Sequence, residues 1–397
     1  MKRRLLTISM AAGARRSRRI RKQTTAVLAV AILTSIPAFS EDHSQSGKNY
    51  KFEFTRIADT TQGFSSFGNF PAINNHGEVV FTAASNAVGA GVFRLRDNVE
   101  HAATIASISD GLSLFGDDVA LNPSGVVAFD ATTAAGSRAI FKGDGASRIL
   151  IADSTANGLA KIGVGSPSIN ADGIVAFSSL LAQRGSPGAV FTGNGGPLRT
   201  IASTSATGFT GFGNVAINAS GTVVFAATLA DGSRGVFTIG NTLIDVVDTN
   251  QHSEIDSFGD PVINDAGTVA DVAFLLPLDA PEIFTGNARA FAPRNNPANP
   301  AFASTEHPSL NNRNAVAFSA ISVSFGAASP TGIFLEVSGG QSLIPVVRPG
   351  DKLFGSTVDH ANLGRFALNE RFQIVFSYTL TDGRSGIAIA SFDGERE

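Results

Sequence analysis

The sequence predicts an all-β protein, a seven-bladed β-propeller closed by its N-terminal strand pairing with the last blade. Three observations predict it: a motif that returns seven times, mostly 46 to 48 residues apart; a plan of four short strands inside each unit; and termini that each hold what the other lacks.

The motif is centred on Asn74, Asn122, Asn170, Asn218, Asn264, Asn311 and Asn369, at intervals of 48, 48, 48, 46, 47 and 58 residues. Ile or Leu precedes each Asn, as in Ile73 and Leu121, and Val or Ile stands five residues after it, as in Val79 and Ile374. Three residues after the Asn comes Gly77, Gly125, Gly173, Gly221 or Gly267, then Asn314 and Phe372 in the last two units. Seven after it comes Phe81, Phe129, Phe177, Phe225, Phe318 or Phe376, with Asp271 the exception. This reads as a tight hairpin, because an Asn can hydrogen-bond its own backbone two residues on and a Gly supplies the positive φ of the turn. Asn314 is the best substitute for that Gly. Phe372 is a poor one, so the last turn is expected to differ in shape. The returning strand carries apolar residues at successive positions, as in Val79-Val80-Phe81, so both of its faces are expected to be buried.

Within the third unit the strands are expected at about 166–169, 174–179, 189–192 and 198–202, separated by Gly, Asn, Pro and Ser turns. The third strand recurs as Gly91-Val92-Phe93 and Gly332-Ile333-Phe334, and the fourth as Ile105-Ala106 and Val346-Val347. The stretch Tyr50 to Asp59 matches a fourth strand ahead of the first Asn unit, while Gly386 to Ser391 matches a third strand with none after it. Pairing the two completes the seventh blade and leaves no raw sheet edge.

In chain order, residues 1–40 are expected to be a signal peptide, 41–50 a short linker, 51–392 the propeller and 393–397 a tail. Residues 1–23 hold nine Lys or Arg and no acid, 24–36 are mostly apolar, and Pro37-Ala38-Phe39-Ser40 offers a small-residue cleavage site. The apolar run is short of the roughly 20 residues of a spanning helix, so export from a bacterium to the periplasm, cell surface or exterior is expected. No transmembrane segment is expected in the mature chain.

Of 30 basic and 33 acidic residues, removing the nine leaves 21 against 33, a net charge near −12. That balance argues against a nucleic-acid partner. With no Cys, the mature chain must hold together by its core alone, and Phe supplies nearly all the aromatic packing, at 30 residues against two Tyr and no Trp. A monomer is expected.

The fifth unit places Asp271 where the others place Phe and shifts Phe274 along, so a bulge or register change is expected there. The proline-rich stretch 293–300 is expected to be an extended surface loop.

The units resemble the secreted bacterial tandem repeats of the choice-of-anchor type, defined by the pattern NxxGxxxF. They are also similar to extracellular HAF-type repeats, whose cores read much like INDxGxVVG. Ile263-Asn264-Asp265-Ala266-Gly267-Thr268-Val269 and Val79-Val80-Phe81 carry the likeness, which covers about residues 52–391. The resemblance implies a secreted repeat protein and brings no particular activity with it. The last residues, Ser391 to Glu397, contain no apolar helix, so it supplies no anchor.

In a propeller the NxxG turns lie on one face, and the loops from second to third and from fourth to first strand lie on the other, where ligands are expected. On that face Gly-containing loops carry Arg138, Arg184, Arg234 and Arg384, a partial ring of guanidiniums suited to a carboxylated or phosphorylated ligand. Three later loops set a His beside acids: His252 with Glu254 and Asp256, His307 with Glu306, and His360 with Asp359. Converging, they could hold a divalent metal. No cysteine nucleophile, phosphate loop or EF-hand spacing is present. Two functions follow as expectations: a binding or surface-interaction scaffold for a glycan or protein ligand, or a secreted lyase or hydrolase on an anionic polysaccharide.

Overall fold

In the computed structural model the chain divides into residues 1–47 and a compact unit 48–397. The structure describes residues 49–96, 102–156, 159–162, 166–181, 188–205, 208–277, 280–287, 290–293, 302–324, 327–337 and 343–396. The expected signal peptide, Arg184 and most of the proline-rich stretch lie outside them.

The described residues form seven antiparallel sheets, the blades of a seven-bladed propeller. The third blade shows the plan: Leu159–Ile162 and Ser168–Ile169 make an interrupted first strand, followed by Val175–Leu181, Gly188–Gly193 and Arg199–Ser203. The sequence pattern marked the last three strands and only the inner part of the first. In the fifth blade the outer strand is Ala290–Pro293, which no pattern had indicated.

The seventh blade draws on both ends of the chain. Asn49–Asp59 runs antiparallel to Ser385–Arg396, with Phe54 opposite Ala390 and Asn49 opposite Arg396. In five other blades a Phe of the second strand stacks on the Phe facing it in the third, as Phe129 does on Phe141 at 5.6 Å and Phe177 on Phe191 at 5.5 Å. In the seventh, Ala388 faces Phe376, and the ring of Phe54 from the N-terminal strand meets Phe376 edge-on at 6.2 Å. Each such pair contributes about 0.5–1.5 kcal/mol beyond its buried area.

The recurrent Asn builds both its own turn and the joint to the next blade. Its Oδ1 accepts from the backbone N–H four residues on in every unit, as at Glu78 (3.0 Å) and Val126 (2.9 Å). Its Nδ2 donates to the backbone carbonyl of the Asn in the following blade: Asn74 to Asn122 at 3.2 Å, Asn122 to Asn170, Asn218 to Asn264, Asn264 to Asn311 and Asn311 to Asn369. Asn369 returns to Asn74 at 3.0 Å. Six of the seven steps of a circle are thus bonded, and Nδ2 of Asn170 is buried without a partner. Cations tighten the early joints, with Nζ of Lys142 donating to the carbonyl of Gly173 at 2.9 Å and Arg94 donating to that of Gly125. A Cβ on Gly125 would lie 2.7 Å from that guanidinium, a close approach that asks for glycine as much as its φ of 83° does.

Two expectations are corrected. The seventh turn has the same shape as the others: Phe372 takes a φ of 55°, close to the 58° of Asn314, and donates its N–H to Asn369 at 3.2 Å as the glycines do. Packing holds it there, since its ring lies against Phe392 and under the Arg313 guanidinium at 5.4 Å. The fifth blade has no bulge of its own either. Val269–Leu275 pairs with Ala280–Asn287 in unbroken register, and Asp271 enters the core fully buried opposite Phe284.

Candidate functional site at the propeller axis

Between its outer and inner parts, each first strand breaks or bulges. The residue four before the repeat Asn falls at that irregularity: Phe70, Asp118, Ser166, Asn214, Asp260, His307 and Arg365. In blades four and six the strand is continuous, but its register shifts between Phe212 and Val215 and between Glu306 and Ser309. A bulge of this kind re-aims one side chain. His307 is held at a φ of 50°, a conformation a β-carbon makes costly and one that collects at functional sites.

Neighbouring blades meet through these side chains. Ser166 Oγ donates to Asp118, the Ser166 N–H donates to Oδ1 of Asn214 at 2.7 Å, and Nδ2 of Asn214 donates to Asp260. The Asp260 carboxylate lies 3.9 Å from Nδ1 of His307, whose ring is 4.4 Å from that of Phe70. Phe70 belongs to the first blade and His307 to the sixth, so their contact spans the seventh. It forms because the seventh blade's member of the series, Arg365, drops beneath the others.

Arg365 is 2% exposed, and its Nη2 donates to the carbonyls of Val215 and Pro261 at 2.8 Å each, reaching blades four and five from blade seven. Around it, residues 363–367 form a plug. The Phe366 carbonyl accepts from Ile73 in blade one, while the N–H groups of Ala367 and Leu368 donate to Ser309 Oγ in blade six. The Phe366 ring touches the hydrophobic clusters of several blades. Asp271 is the acidic group in this layer. Burial pushes its carboxyl well above the usual range, nearby Asp260 adds to that, and Arg365 opposes it.

The loop residues singled out by sequence are placed as follows. Arg138 pairs with Asp130 and donates to the Leu114 carbonyl; Arg234 pairs with Asp256 at 3.1 Å; Arg384 pairs with Asp382 at 2.7 Å and donates to the Phe354 carbonyl. Arg138 and Arg384 are engaged within their own blades, while Arg234, on the fourth blade, reaches Asp256 on the first strand of the fifth. His252 lies 2.9 Å from Glu254 in its own loop, and His360 lies 2.9 Å from Asp359 on the strand Ser356–Asn362 and not in a loop as expected. His307 alone of the three joins the axial series. Among the described residues no three His, Cys, Asp or Glu stand close enough to hold one metal ion.

The axial series was missed because the repeat was aligned on what it keeps. The slot four before the Asn holds six residue types in seven units, and that contrast with the constant positions beside it is the available signal. Chemically the series is a set of hydrogen-bond donors and acceptors: Ser166 Oγ is bonded to a carboxylate, and among the described residues no imidazole is placed on it as a base.

No family model matches the sequence, and no curated protein matches it. By structure the chain is similar to a prolyl endopeptidase, at a TM-score of 0.54 and 10% identity over 84% of this chain and 51% of that one. It is similar also to the acylaminoacyl peptidase of Pyrococcus horikoshii, at 0.53 and 9% over 85% and 53%. A six-bladed lectin of Aleuria aurantia that recognises fucose superimposes at 0.40 and 9% over 71% and 97%. The chain spans about half the length of the two peptidases, and what it shares with them is the fold.

Proposed function

We propose that this protein is an exported β-propeller serving as a binding scaffold, and that the axial series is the surface its ligand touches. One observation carries the reading: a ring of six half-buried side chains of five kinds, from Phe70 to His307, is mounted on a frame whose other positions repeat from blade to blade. A frame built from one repeated unit can vary a single inward slot without disturbing its turns or its Phe pairs. Partly exposed polar groups beside an aromatic wall suit recognition. Support for export comes from the basic head, apolar run and small-residue site of residues 1–40. The ion pairing of Arg138, Arg234 and Arg384 gives no support to a lyase or hydrolase reading through free guanidiniums.

The test is a glycan and peptide array probed with the full chain and with Asp118→Ala/Asn214→Ala/Asp260→Ala, folding being checked by circular dichroism. The reading expects the wild-type signal to disappear in the folded variant. A signal that survives would move the ligand elsewhere on the propeller and remove the axial assignment.

A further inference from the structure

A second site lies away from the axis, at the joints where the NxxG turn of one blade packs against the blade before it. Three successive joints are closed by a cation over the turn glycine. A Cβ on Gly77 would lie 2.5 Å from Nη2 of Arg371, one on Gly125 2.7 Å from Nη1 of Arg94, and one on Gly173 3.3 Å from Nζ of Lys142. At the joint of blades three and four a Cβ on Gly221 would meet nothing within 4 Å. Thr192 stands there after Phe191, where Arg94 follows Phe93 and Lys142 follows Phe141, and its short side chain gives the Gly221 carbonyl no donor. This is also the joint at which Nδ2 of Asn170 is buried without a partner. Lacking both the cation and the Asn bond, it holds a crevice of about 350 Å³, against about 210 Å³ at the joint of blades two and three.

The lining states the chemistry of an occupant. Ile174, Ile201 and Ile217 give it an apolar side, and its one charged residue is Arg199. Arg199 pairs with Thr192 across the sheet, where Ile149 pairs with Lys142 in blade two and Ile244 with Thr238 in blade four. In blade three, then, the cation has left the floor of the joint and stands on the neighbouring strand at its rim. The joint of blades four and five is also open over Gly267, but Ile244 leaves its rim uncharged. The Arg199 guanidinium is exposed and, among the described residues, bonds to no carboxylate or carbonyl. Its planar fork fits a carboxylate through two parallel hydrogen bonds, and one positive charge balances one negative one. The three Ile side chains favour an aliphatic chain behind that carboxylate. A crevice of this size falls in the range that holds small ligands.

We propose that the crevice between blades three and four binds a carboxylate carried on an aliphatic chain, the carboxylate on Arg199 and the chain along Ile174, Ile201 and Ile217. The test is titration calorimetry of the full chain against butanoate, hexanoate, octanoate and octanol, and against a pentapeptide ending in leucine with its C-terminus free or amidated. Octanoate should bind about tenfold more tightly than octanol. From butanoate to octanoate, affinity should rise about threefold per methylene. Arg199→Gln, a change at an exposed position, should weaken octanoate about tenfold and leave octanol unchanged, a split that loss of the fold would not produce. Binding of the free peptide but not of the amidated one would name a protein C-terminus as the source of the carboxylate, and octanoate binding without peptide binding would name a free acid. The folded variant Asp118→Ala/Asn214→Ala/Asp260→Ala should bind octanoate as wild type does, which separates this site from the axial one. Loss of binding in that variant would place the ligand at the axis and overturn the proposal. Octanol binding as tight as that of octanoate would also overturn it, as would unchanged octanoate affinity in Arg199→Gln or no binding by any of the carboxylates.

Discussion

Oδ1 of Asn122 accepts from its own turn while Nδ2 donates to the Asn170 carbonyl, so Asn122→Asp keeps the first role and sets a second oxygen against an acceptor. Asn170→Asp makes the same change where Nδ2 has no partner. Both introduce a carboxyl at a buried turn, so the difference between them isolates the inter-blade bond. Urea unfolding at pH 7 should show Asn122→Asp less stable than Asn170→Asp by about 1 kcal/mol. Equal losses would mean that the bond contributes nothing. Asp245 supplies a pH prediction at the same scale. Burial first, then the hydrogen bond and charge of Asp248, push its carboxyl up to about 7. Burial acts to raise Asp248 as well, but hydrogen bonds from Asp245 and Gln251 outweigh it, and Asp248 titrates below its usual range. With its folded value above its unfolded one, Asp245 stabilises the fold fully below about pH 4, and that contribution is lost as pH rises toward 7. Asp245→Asn should therefore flatten the melting temperature across this window. Above pH 7 it should stabilise the protein by about 1 kcal/mol, solvent screening at this half-buried site allowed for. A melting profile that keeps its slope in the variant would contradict this.

The element that departs most from the repeat is the plug 363–367, and it explains the departure in blade five. Asp271 stands in a Phe slot, and Arg365 comes from another blade to lie in the same layer. Arg365→Leu leaves the Val215 and Pro261 carbonyls without their donor, and Asp271→Phe removes the buried carboxyl that the guanidinium acts on. Each should cost about 2–4 kcal/mol in chemical unfolding. Together they should cost less than their sum by at least about 1 kcal/mol, because the two groups lie in one layer and act on one another. Strict additivity would show that the two residues do not act on one another. The sequence displayed both anomalies, the missing Phe at 271 and the 58-residue interval before Asn369, but not their connection. An electrostatic influence between residues 94 positions apart is invisible to a repeat alignment, since each residue occupies a different slot. The NxxG turns, by contrast, were legible because Asn Oδ1 and the positive-φ residue act within five residues of one another. The axial side chains were not, because what unites Asp118, Ser166 and Asn214 is their place in the ring and not their residue type. Phe372 erred in the opposite direction: its neighbours Phe392 and Arg313 hold a conformation that local preference disfavours.

For the whole molecule the governing relation joins the two ends of the compact unit. Strand Asn49–Asp59 lies beside Ser385–Arg396, Phe54 supplies the ring that Ala388 cannot, and Asn369 bonds back to Asn74. If the circle opened, Asn49–Asp59 would leave an exposed sheet edge, and the axial series would lose the frame that faces Phe70 toward His307. Because the chain has no cysteine, an introduced pair can form only one intramolecular disulfide. Glu53 and Ser391 are directly opposed across these strands. The decisive measurement is oxidation of the full chain carrying Glu53→Cys/Ser391→Cys, followed by thermal melting with and without reductant. The closed circle predicts near-complete cross-linking and a melting temperature raised by several degrees in the oxidised form, since the bridge closes a very long loop. Thiols that stay free under oxidation, or a bridge that forms only when the protein is unfolded, would contradict it.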